Sequence, residues 1–268
     1  MKKTSIFWIL AFVITLSTAY YQRITGPTYP KRCKIESGNE VVKFKLIRSS
    51  DTGKDLAINI PAIGKEASGY LYYKRFNTPD EWTILKMNNH SDTLTAMLPS
   101  QPAAGKLQYI VRLKLHPNEK LETEPPVVVR FKGNVPMWVL IPHILAMFLA
   151  MFFSNFTGLL AIGKGSKQKK WALITLFVMI IGGLFLGPVV QKFAFGELWT
   201  GVPFGWDLTD NKTLIGFTGW LVAVGANWNK ERRGWFIFAA ILTLVVYSIP
   251  HSMFGSQLDY NTGVIKQG

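Results

Sequence analysis

The sequence predicts a membrane α-helical bundle, made of an N-terminal anchor plus four further spans, with an inserted extracytoplasmic all-β sandwich. Three observations predict this fold class. The 268 residues are 49% hydrophobic and only 17% charged, and the apolar residues are concentrated in long blocks, as in membrane proteins. About a hundred residues near the N-terminus instead alternate apolar and polar side chains in short runs. Two basic clusters, Lys164–Lys170 and Lys230–Arg233, adjoin the apolar blocks.

The first apolar run, Ser5–Tyr21, follows a basic start and ends in two tyrosines. It is either a signal anchor or a signal peptide cleaved after small residues such as Ser17 and Ala19. Its length of about 17 residues is at the short limit for a span, and tyrosines favour the membrane interface. We expect residues 1–22 to be retained as an anchor. Either interpretation sends the following residues out of the cytoplasm.

Residues 23–34 form a linker in which Pro27 and Pro30 favour extended backbone. From residue 35 to residue 133 the pattern has a period of two, which is typical of half-buried strands. Turn-forming residues such as Asn, Asp, Gly and Pro separate the runs. The predicted strands are 41–48, 56–60, 69–75, 82–87, 93–98, 107–115 and 127–131. Seven short strands without helical periodicity predict an antiparallel β-sandwich.

Several segments of this region resemble the strand pattern of extracellular immunoglobulin-like and fibronectin-type-III-like modules. They are Gly69–Tyr73, Glu81–Trp82, Met87–Asn88, Ala96–Pro99 and Ala104–Tyr109. The resemblance covers about a third of the chain and is specific for the fold alone. It implies a module that binds, spaces or braces other proteins, and it implies no catalytic residue. Cys33 is the single cysteine, so the cysteine pair of a true immunoglobulin domain is missing and no intrachain disulfide can form.

Residues 136–252 are predicted to be a four-helix transmembrane domain with spans at 136–162, 171–190, 214–227 and 235–250. An untilted crossing needs about 20 apolar residues, so the span at 214–227 is short. The positive-inside rule places both basic clusters, together with Lys2 and Lys3, in the cytoplasm. In a multi-pass protein of the cell inner (cytoplasmic) membrane, residues 23–135, 191–212 and the tail 253–268 are then extracytoplasmic.

The predicted site lies at the extracytoplasmic ends of these spans. His143 and His251 end two different spans at matching depth, an arrangement that can hold a haem or a metal ion. Asp207 and Asp210 belong to a polar loop, 204–214, that opens on the same side and could supply oxygen ligands. These four residues are our candidate metal ligands.

A structural interpretation of the same residues remains open. Pro142 and Pro250 directly precede the two histidines and mark helix ends, where interfacial, hydrogen-bonded histidines are ordinary. Thr209, Asp210 or Asn211 could cap the following helix, whose first amides otherwise lack partners. An acidic residue there also suits the helix dipole.

The charge distribution argues against a nucleic-acid partner despite the net charge of +14. Residues 22–136 hold 18 Lys and Arg against 11 Asp and Glu, without a basic run. We find no phosphate-binding, zinc-protease or serine-hydrolase motif and no internal repeat. We therefore expect a non-catalytic protein of the lipid bilayer whose sandwich binds or braces a membrane or periplasmic protein. The alternatives are a redox or metal-handling protein with a haem or metal site at the outer face, and a sensor that signals through the bundle.

Overall fold

The computed structural model describes residues 2–37, 40–62, 67–116 and 119–267. The chain forms two compact units. The helical unit comprises Met1–Pro27, Val135–Ser256 and Gln267–Gly268, and the β unit comprises Thr28–Asn134 and Gln257–Lys266. The sequence treated residues 253–268 as a separate tail, whereas most of this segment packs with the β unit.

Short strands, most of them antiparallel, build the β unit. They are β1 (Lys31–Ser37), β2 (Glu40–Leu46), β3 (Ser49–Asp51), β4 (Leu56–Pro61), β5 (Ser68–Arg75), β6 (Thr83–Lys86), β7 (Asn88–His90), β8 (Thr93–Leu98), β9 (Lys106–His116), β10 (Glu119–Glu122) and β11 (Val127–Lys132). Each of the seven predicted strands overlaps one of them. The sequence missed β3, β7 and β10, since three or four residues are too few to establish a period of two, and it missed β1 inside the predicted linker.

The described strands β1 to β11 form three sheets. The largest has the order β3-β11-β9-β5-β6, with β10 also paired to β9, and β3 runs parallel to β11. A second sheet has the order β4-β8-β7, and β1 pairs with β2 as a hairpin. One hydrophobic core joins the two larger sheets, because Ile58 and Leu94 of the second sheet pack in the same cluster as Leu71, Val111 and Val129 of the first.

The C-terminal segment is attached to the β unit by polar contacts. The segment contains a small hairpin of β12 (Ser256–Leu258) and β13 (Ile265–Gln267). Lys106 Nζ donates to Gln257 Oε1 at 3.0 Å, and Tyr260 Oη lies 3.0 Å from Gln101 Oε1. Burial lowers the pKa of Lys106 to about 8 and raises the pKa of Tyr260 to about 12. Tyr260 is therefore neutral at pH 7 and can donate to Gln101.

The helical unit contains α1 (Lys2–Thr25), α2 (Met137–Ile162), α3 (Gln168–Met179), α4 (Gly187–Phe195), α5 (Leu208–Ala226) and α6 (Arg233–Ser248), and a π-helical segment, Ile180–Leu186, joins α3 to α4. Within the described part of the chain, three stretches are long and apolar enough to cross a membrane, namely Lys3–Thr25, Met137–Ile162 and Gln168–Phe195. Helix α6 is a shorter apolar helix. This result fits a membrane protein, as the sequence predicts.

Small residues let the helices approach closely. A Cβ at Gly158 would lie 2.5 Å from Ala240 Cβ, and one at Gly183 would lie 2.5 Å from Thr213 Cγ2. Larger side chains at these positions would force α2 away from α6, and the π-helical segment away from α5. Trp220 of α5 is fully buried and donates from Nε1 to Thr243 Oγ1 of α6 at 3.0 Å.

Helix α1 packs against the other helices through aromatic and polar contacts. The Trp8 ring stacks on Phe156 of α2 at a centroid distance of 3.8 Å. The buried amide of Asn155 donates to Thr15 Oγ1 at 3.0 Å. At the far end of α1, Gln22 Nε2 donates to the carbonyl oxygen of Tyr247 at 2.7 Å. Residues at three levels of α1 thus contact the other helices.

Candidate functional site

The predicted site loop is held by its own carboxylates at one end of the helical unit. We call the set Thr200, Asp207, Asp210, Lys212 and Ser256 the Asp207 cluster. Asp207 and Asp210 are only 5% and 6% exposed, and Lys212 is 1% exposed. Charged groups buried to this extent need partners, because an unpaired buried charge is costly.

Asp207 is the N-cap of α5. Its Oδ1 accepts from the amide of Thr209 at 2.8 Å, and its Oδ2 accepts from the amide and the hydroxyl of Ser256 at 3.0 and 2.8 Å. The sequence interpretation placed the cap at Thr209, Asp210 or Asn211, and that placement is wrong. The helix begins earlier than the apolar pattern suggests, so the capping role falls to the preceding acid.

Asp210 and Asn211 hold the preceding loop against the first turn of α5. Asp210 Oδ2 accepts from the amides of Thr200 and Gly201 at 2.6 and 3.0 Å. Asn211 Oδ1 accepts from the amide of Val202 at 2.8 Å. One carboxylate oxygen and one amide oxygen therefore fix three successive backbone amides of a loop that has no regular secondary structure.

Lys212 connects α5 to the end of α6. Its Nζ donates to the carbonyl oxygen of Ile249 at 2.7 Å and lies 3.5 Å from that of Pro250. Ile249 is the C-cap of α6, where unpaired carbonyl groups carry partial negative charge. An ammonium group suits this position, which explains how a lysine is tolerated in a nearly inaccessible place.

The two histidines lie near this cluster. His143 is half-buried on α2, and its Nδ1 lies 2.9 Å from the carbonyl oxygen of Gly182 in the π-helical segment. His251 is exposed, and the charges of Lys212, His143 and Asp207 all act on it. His251 is thus within electrostatic range of His143 and Asp207, and a site shared by the three stays a prediction.

The oxygen atoms that the metal hypothesis requires have other partners. The carboxylate of Asp207 and the Oδ2 atom of Asp210 each accept three hydrogen bonds from the chain itself, which uses much of the acceptor capacity that a metal would need. Among the described residues, no group of three or more His, Cys, Asp or Glu side chains is arranged to hold a metal ion. A haem or metal site at His143, His251, Asp207 and Asp210 stays a prediction.

Sequence reasoning missed Lys212 and Ser256 of the Asp207 cluster, and it missed Gln22, which contacts the Ile249 carbonyl oxygen at 3.3 Å. Lys212 lies in the polar loop 204–214 without a motif of its own, Ser256 lies in the tail, and Gln22 belongs to the predicted anchor. Each partner is more than 30 residues away in the sequence, so local pattern gives no indication of the contact. A lysine within two residues of Asp210 was the one available hint that a charged network forms there.

Comparison with known proteins adds no assignment to this geometry. No protein-family model, curated protein or solved structure matches the chain.

Proposed function

We propose that this chain is a five-span protein of the cytoplasmic membrane whose extracytoplasmic β-sandwich binds an acidic partner protein, without catalysis. The observation that carries the proposal is an exposed face of the β unit. The sandwich would be of the immunoglobulin-like or fibronectin-type-III-like kind, which agrees with one core shared between two sheets.

The exposed face lies on β5, β6 and β9. Alternate residues of these strands point away from the core, where Leu71 and Val111 are fully buried. In the register, Tyr70 pairs with Lys86 and Arg112, and Tyr72 pairs with Ile84. We call this set the aromatic–cationic face, and it consists of Tyr70, Tyr72, Lys74, Trp82, Ile84, Lys86 and Arg112. Tyrosine, tryptophan and arginine are the residues most enriched at energetic centres of protein interfaces.

The charges of this face favour an acidic partner. Lys74 lies over the Trp82 ring at 5.3 Å, and the Arg112 guanidinium lies over the Tyr72 ring at 4.4 Å. Arg112 also pairs with Glu122 at 2.8 Å, but Lys86 and Lys74 form no ion pair with described residues. The face is thus preorganised, because stacking restricts the long cationic side chains before any partner binds. Carboxylates on a partner would complement it.

The packing of α5 and α6 supports five spans. Helices α5 and α6 share a hydrophobic core with α2, through Trp220, Ala239 and Ala150 among others. Both helices therefore pack along α2, which is itself long enough to cross a membrane. Three apolar residues of α6 at helical spacing, Phe238, Ile241 and Val245, are more than half exposed. An exposed apolar stripe of this kind suits contact with lipid. Helix α6 is 16 residues long, or about 24 Å, so it would cross with its flanking residues.

The contacts of α1 support a retained anchor. A hydrogen bond between Asn155 and Thr15, both nearly inaccessible, would leave the Asn155 amide unpaired if α1 were removed. We expect the purified protein to have an intact mass near 30.2 kDa. Cleavage after Ala19 would remove 19 residues of roughly 0.11 kDa each and give a species about 2 kDa lighter. Such a species would contradict the retained anchor but not the proposal for the β unit.

Photo-crosslinking in intact membranes tests partner binding. We would replace Tyr70 or Ile84 individually with benzoylphenylalanine and irradiate cells that express the full chain. We expect one adduct of defined mass at both positions, which mass spectrometry would identify as a protein with an acidic surface. Met97 is the matched control, since it is equally exposed but lies on β8 of the other sheet.

A charge reversal makes the experiment decisive. Arg112→Glu should reduce the adduct yield at Tyr70 at least tenfold. The new glutamate would face the acidic surface of the partner, and like charges facing each other across an interface cost about 2 kcal/mol or more. Lys54→Glu makes the same change in an exposed turn of the β unit and should leave the yield unchanged. Equal yields at Met97 and Tyr70, or no adduct at either face position, would overturn the proposal.

A further inference from the structure

A cleft lies at the end of the helical unit where α3 and α6 begin. It occupies about 530 Å³ between the loop that joins α2 to α3 and the loop that joins α5 to α6. This volume falls within the usual range of small-molecule sites, about 300–1,000 Å³. The residues that matter for its chemistry are Lys164, Lys167, Gln168, Lys169, Lys230 and Arg233.

The cleft has a strong excess of positive charge. Among the described residues that line it, Glu231 is the one acid, and it is already paired with Arg233 at 2.7 Å. By contrast, Lys164, Lys167 and Lys230 form no ion pair with any residue that the structure describes. Three cationic side chains are therefore available to a ligand that enters the space between the loops.

Two helix N-termini add to this potential. Helix α3 begins at Gln168 and α6 begins at Arg233, and both residues line the cleft. Neither helix has a side-chain cap or an acid in its first turn. In α5, by contrast, Asp207 caps the first turn and Asp210 lies within it. Uncapped amides at two helix ends favour an anion between them.

The cleft also contains a buried polar group without a partner. Gln168 is 4% exposed, and its Nε2 donates to the carbonyl oxygen of Gly165 at 2.7 Å. Its Oε1 has no hydrogen-bond partner among the described residues. A buried acceptor of this kind is rare and calls for an explanation. Because this oxygen is closed to solvent, a hydroxyl group beside the anionic group of a ligand would supply the missing donor once the Gln168 side chain turns toward the cleft.

The walls of the cleft are preformed. Asn227 bridges the loop between α5 and α6, since its Oδ1 accepts from the amide of Arg232 at 2.6 Å and its Nδ2 donates to the carbonyl oxygen of Ala223 at 2.8 Å. Lys169 lies over the Trp228 ring at 4.3 Å and donates to the Trp228 carbonyl oxygen at 3.0 Å. Lys169 thereby links the first turn of α3 to the loop between α5 and α6, so one wall of the cleft is fixed before a ligand binds.

We propose that this basic cleft binds a phosphate group that carries or adjoins a hydroxyl, supplied either by an anionic phospholipid headgroup or by a free phosphate compound. The phosphate would lie between Lys164, Lys167 and Lys230, with the amides at the starts of α3 and α6 as further donors. The hydroxyl would donate to Gln168 Oε1 after that side chain turns toward the cleft. This inference is independent of the partner-binding function, since none of its residues belongs to the β unit.

Isothermal titration of the full chain in neutral detergent tests the cleft. The probes are dioctanoyl phosphatidylglycerol, glycerol 3-phosphate and inorganic phosphate, each at constant ionic strength. We expect saturable binding at one site. If a lipid headgroup is the source, dioctanoyl phosphatidylglycerol should bind at least tenfold more tightly than glycerol 3-phosphate. Equal or tighter binding of glycerol 3-phosphate would identify a free phosphate compound.

Two matched triple variants separate the cleft from general charge. Lys164→Gln, Lys167→Gln and Lys230→Gln together should weaken binding at least tenfold. The control Lys43→Gln, Lys45→Gln and Lys54→Gln removes the same charge from exposed positions of the β unit and should change affinity less than twofold. Equal losses in both variants would show attraction by net charge alone and would overturn the proposal.

A footprint on the unmodified protein covers the case in which the cleft variant fails to fold. Acetylation of lysines, followed by mass spectrometry, should show at least fivefold slower labelling of Lys164, Lys167 and Lys230 when the best probe is present. Labelling of Lys43 and Lys54 should not change. No saturable binding of any probe, or equal protection of all five lysines, would contradict the site.

Discussion

The two ends of the helical bundle contain similar kinds of charged residue in opposite situations. At one end, the Asp207 cluster is nearly inaccessible, and its carboxylates and ammonium group are hydrogen-bonded to the chain. At the other end, the lysines of the basic cleft surround a space and have no acidic partners among the described residues. A charged group that is internally satisfied stabilises the fold, whereas one left unsatisfied beside a cavity is free to bind a ligand. We therefore expect the Asp207 cluster to stabilise the fold and the basic cleft to bind a ligand.

Removing Asp210 should have the largest effect on stability. Asp210→Ala removes the acceptor of the Thr200 and Gly201 amides, and we expect the free energy of unfolding to fall by about 2–4 kcal/mol. Unfolding in mixed micelles with a rising fraction of SDS measures it. Eight of the nine tryptophans lie in the helical unit, so tryptophan fluorescence reports mainly on that unit.

Glu197 provides the control for Asp210. It lies in the same loop but is exposed, and Glu197→Ala should change the free energy of unfolding by less than about 0.5 kcal/mol. If both substitutions had the same small effect, the carboxylate of Asp210 would not hold the loop. The Asp207 cluster would then not stabilise the fold, and the contrast between the two ends of the bundle would be wrong.

A smaller loss is expected at Lys212. Lys212→Met keeps much of the side-chain volume but leaves the Ile249 carbonyl oxygen without its donor. We expect a loss of about 1–3 kcal/mol in the same unfolding experiment, because the apolar replacement offsets part of the cost of burying a charge. Lys192→Met makes the same change at an exposed position of α4 and should be nearly neutral. Equal effects would mean that the buried ammonium contributes no more than an exposed one.

Local pattern predicted much of the fold and less of the site. The period of two located β5, β8 and β9 because it depends on neighbouring residues in a strand. The predicted N-cap of α5 was wrong because the helix begins at Leu208. Its first turn is polar, so the apolar pattern that predicted the helix starts later than the helix itself. Pairing of Lys212 with Ile249 could not be predicted, since it joins two helices through a contact over 37 residues.

The basic cleft illustrates the same limit in another way. The lysines at 164–170 were interpreted as orientation charges, which accounts for their sign and their position beside apolar segments. Sequence alone does not reveal that two such clusters lie on either side of one cavity. Nor does it reveal that Gln168 is buried there with a free acceptor, because burial depends on how α3 and α6 pack.

The smallest effect, and the one with the opposite sign, is expected at Lys167. This residue has a φ of +66° at the N-cap of α3, a left-handed conformation that a residue with a Cβ adopts at a cost of about 1–2 kcal/mol. Lys167→Gly should leave the free energy of unfolding unchanged or raise it by up to about 1 kcal/mol, because glycine relieves this strain but loses more chain entropy on folding. The same substitution should weaken binding of the best phosphate probe at least threefold, as titration would show. Substitutions in the Asp207 cluster should instead lower the free energy of unfolding and leave phosphate binding unchanged. If Lys167→Gly bound the phosphate probe with unchanged affinity, Lys167 would not contact the ligand. The contrast between a binding end and a stabilising end of the bundle would then rest on Lys164 and Lys230 alone.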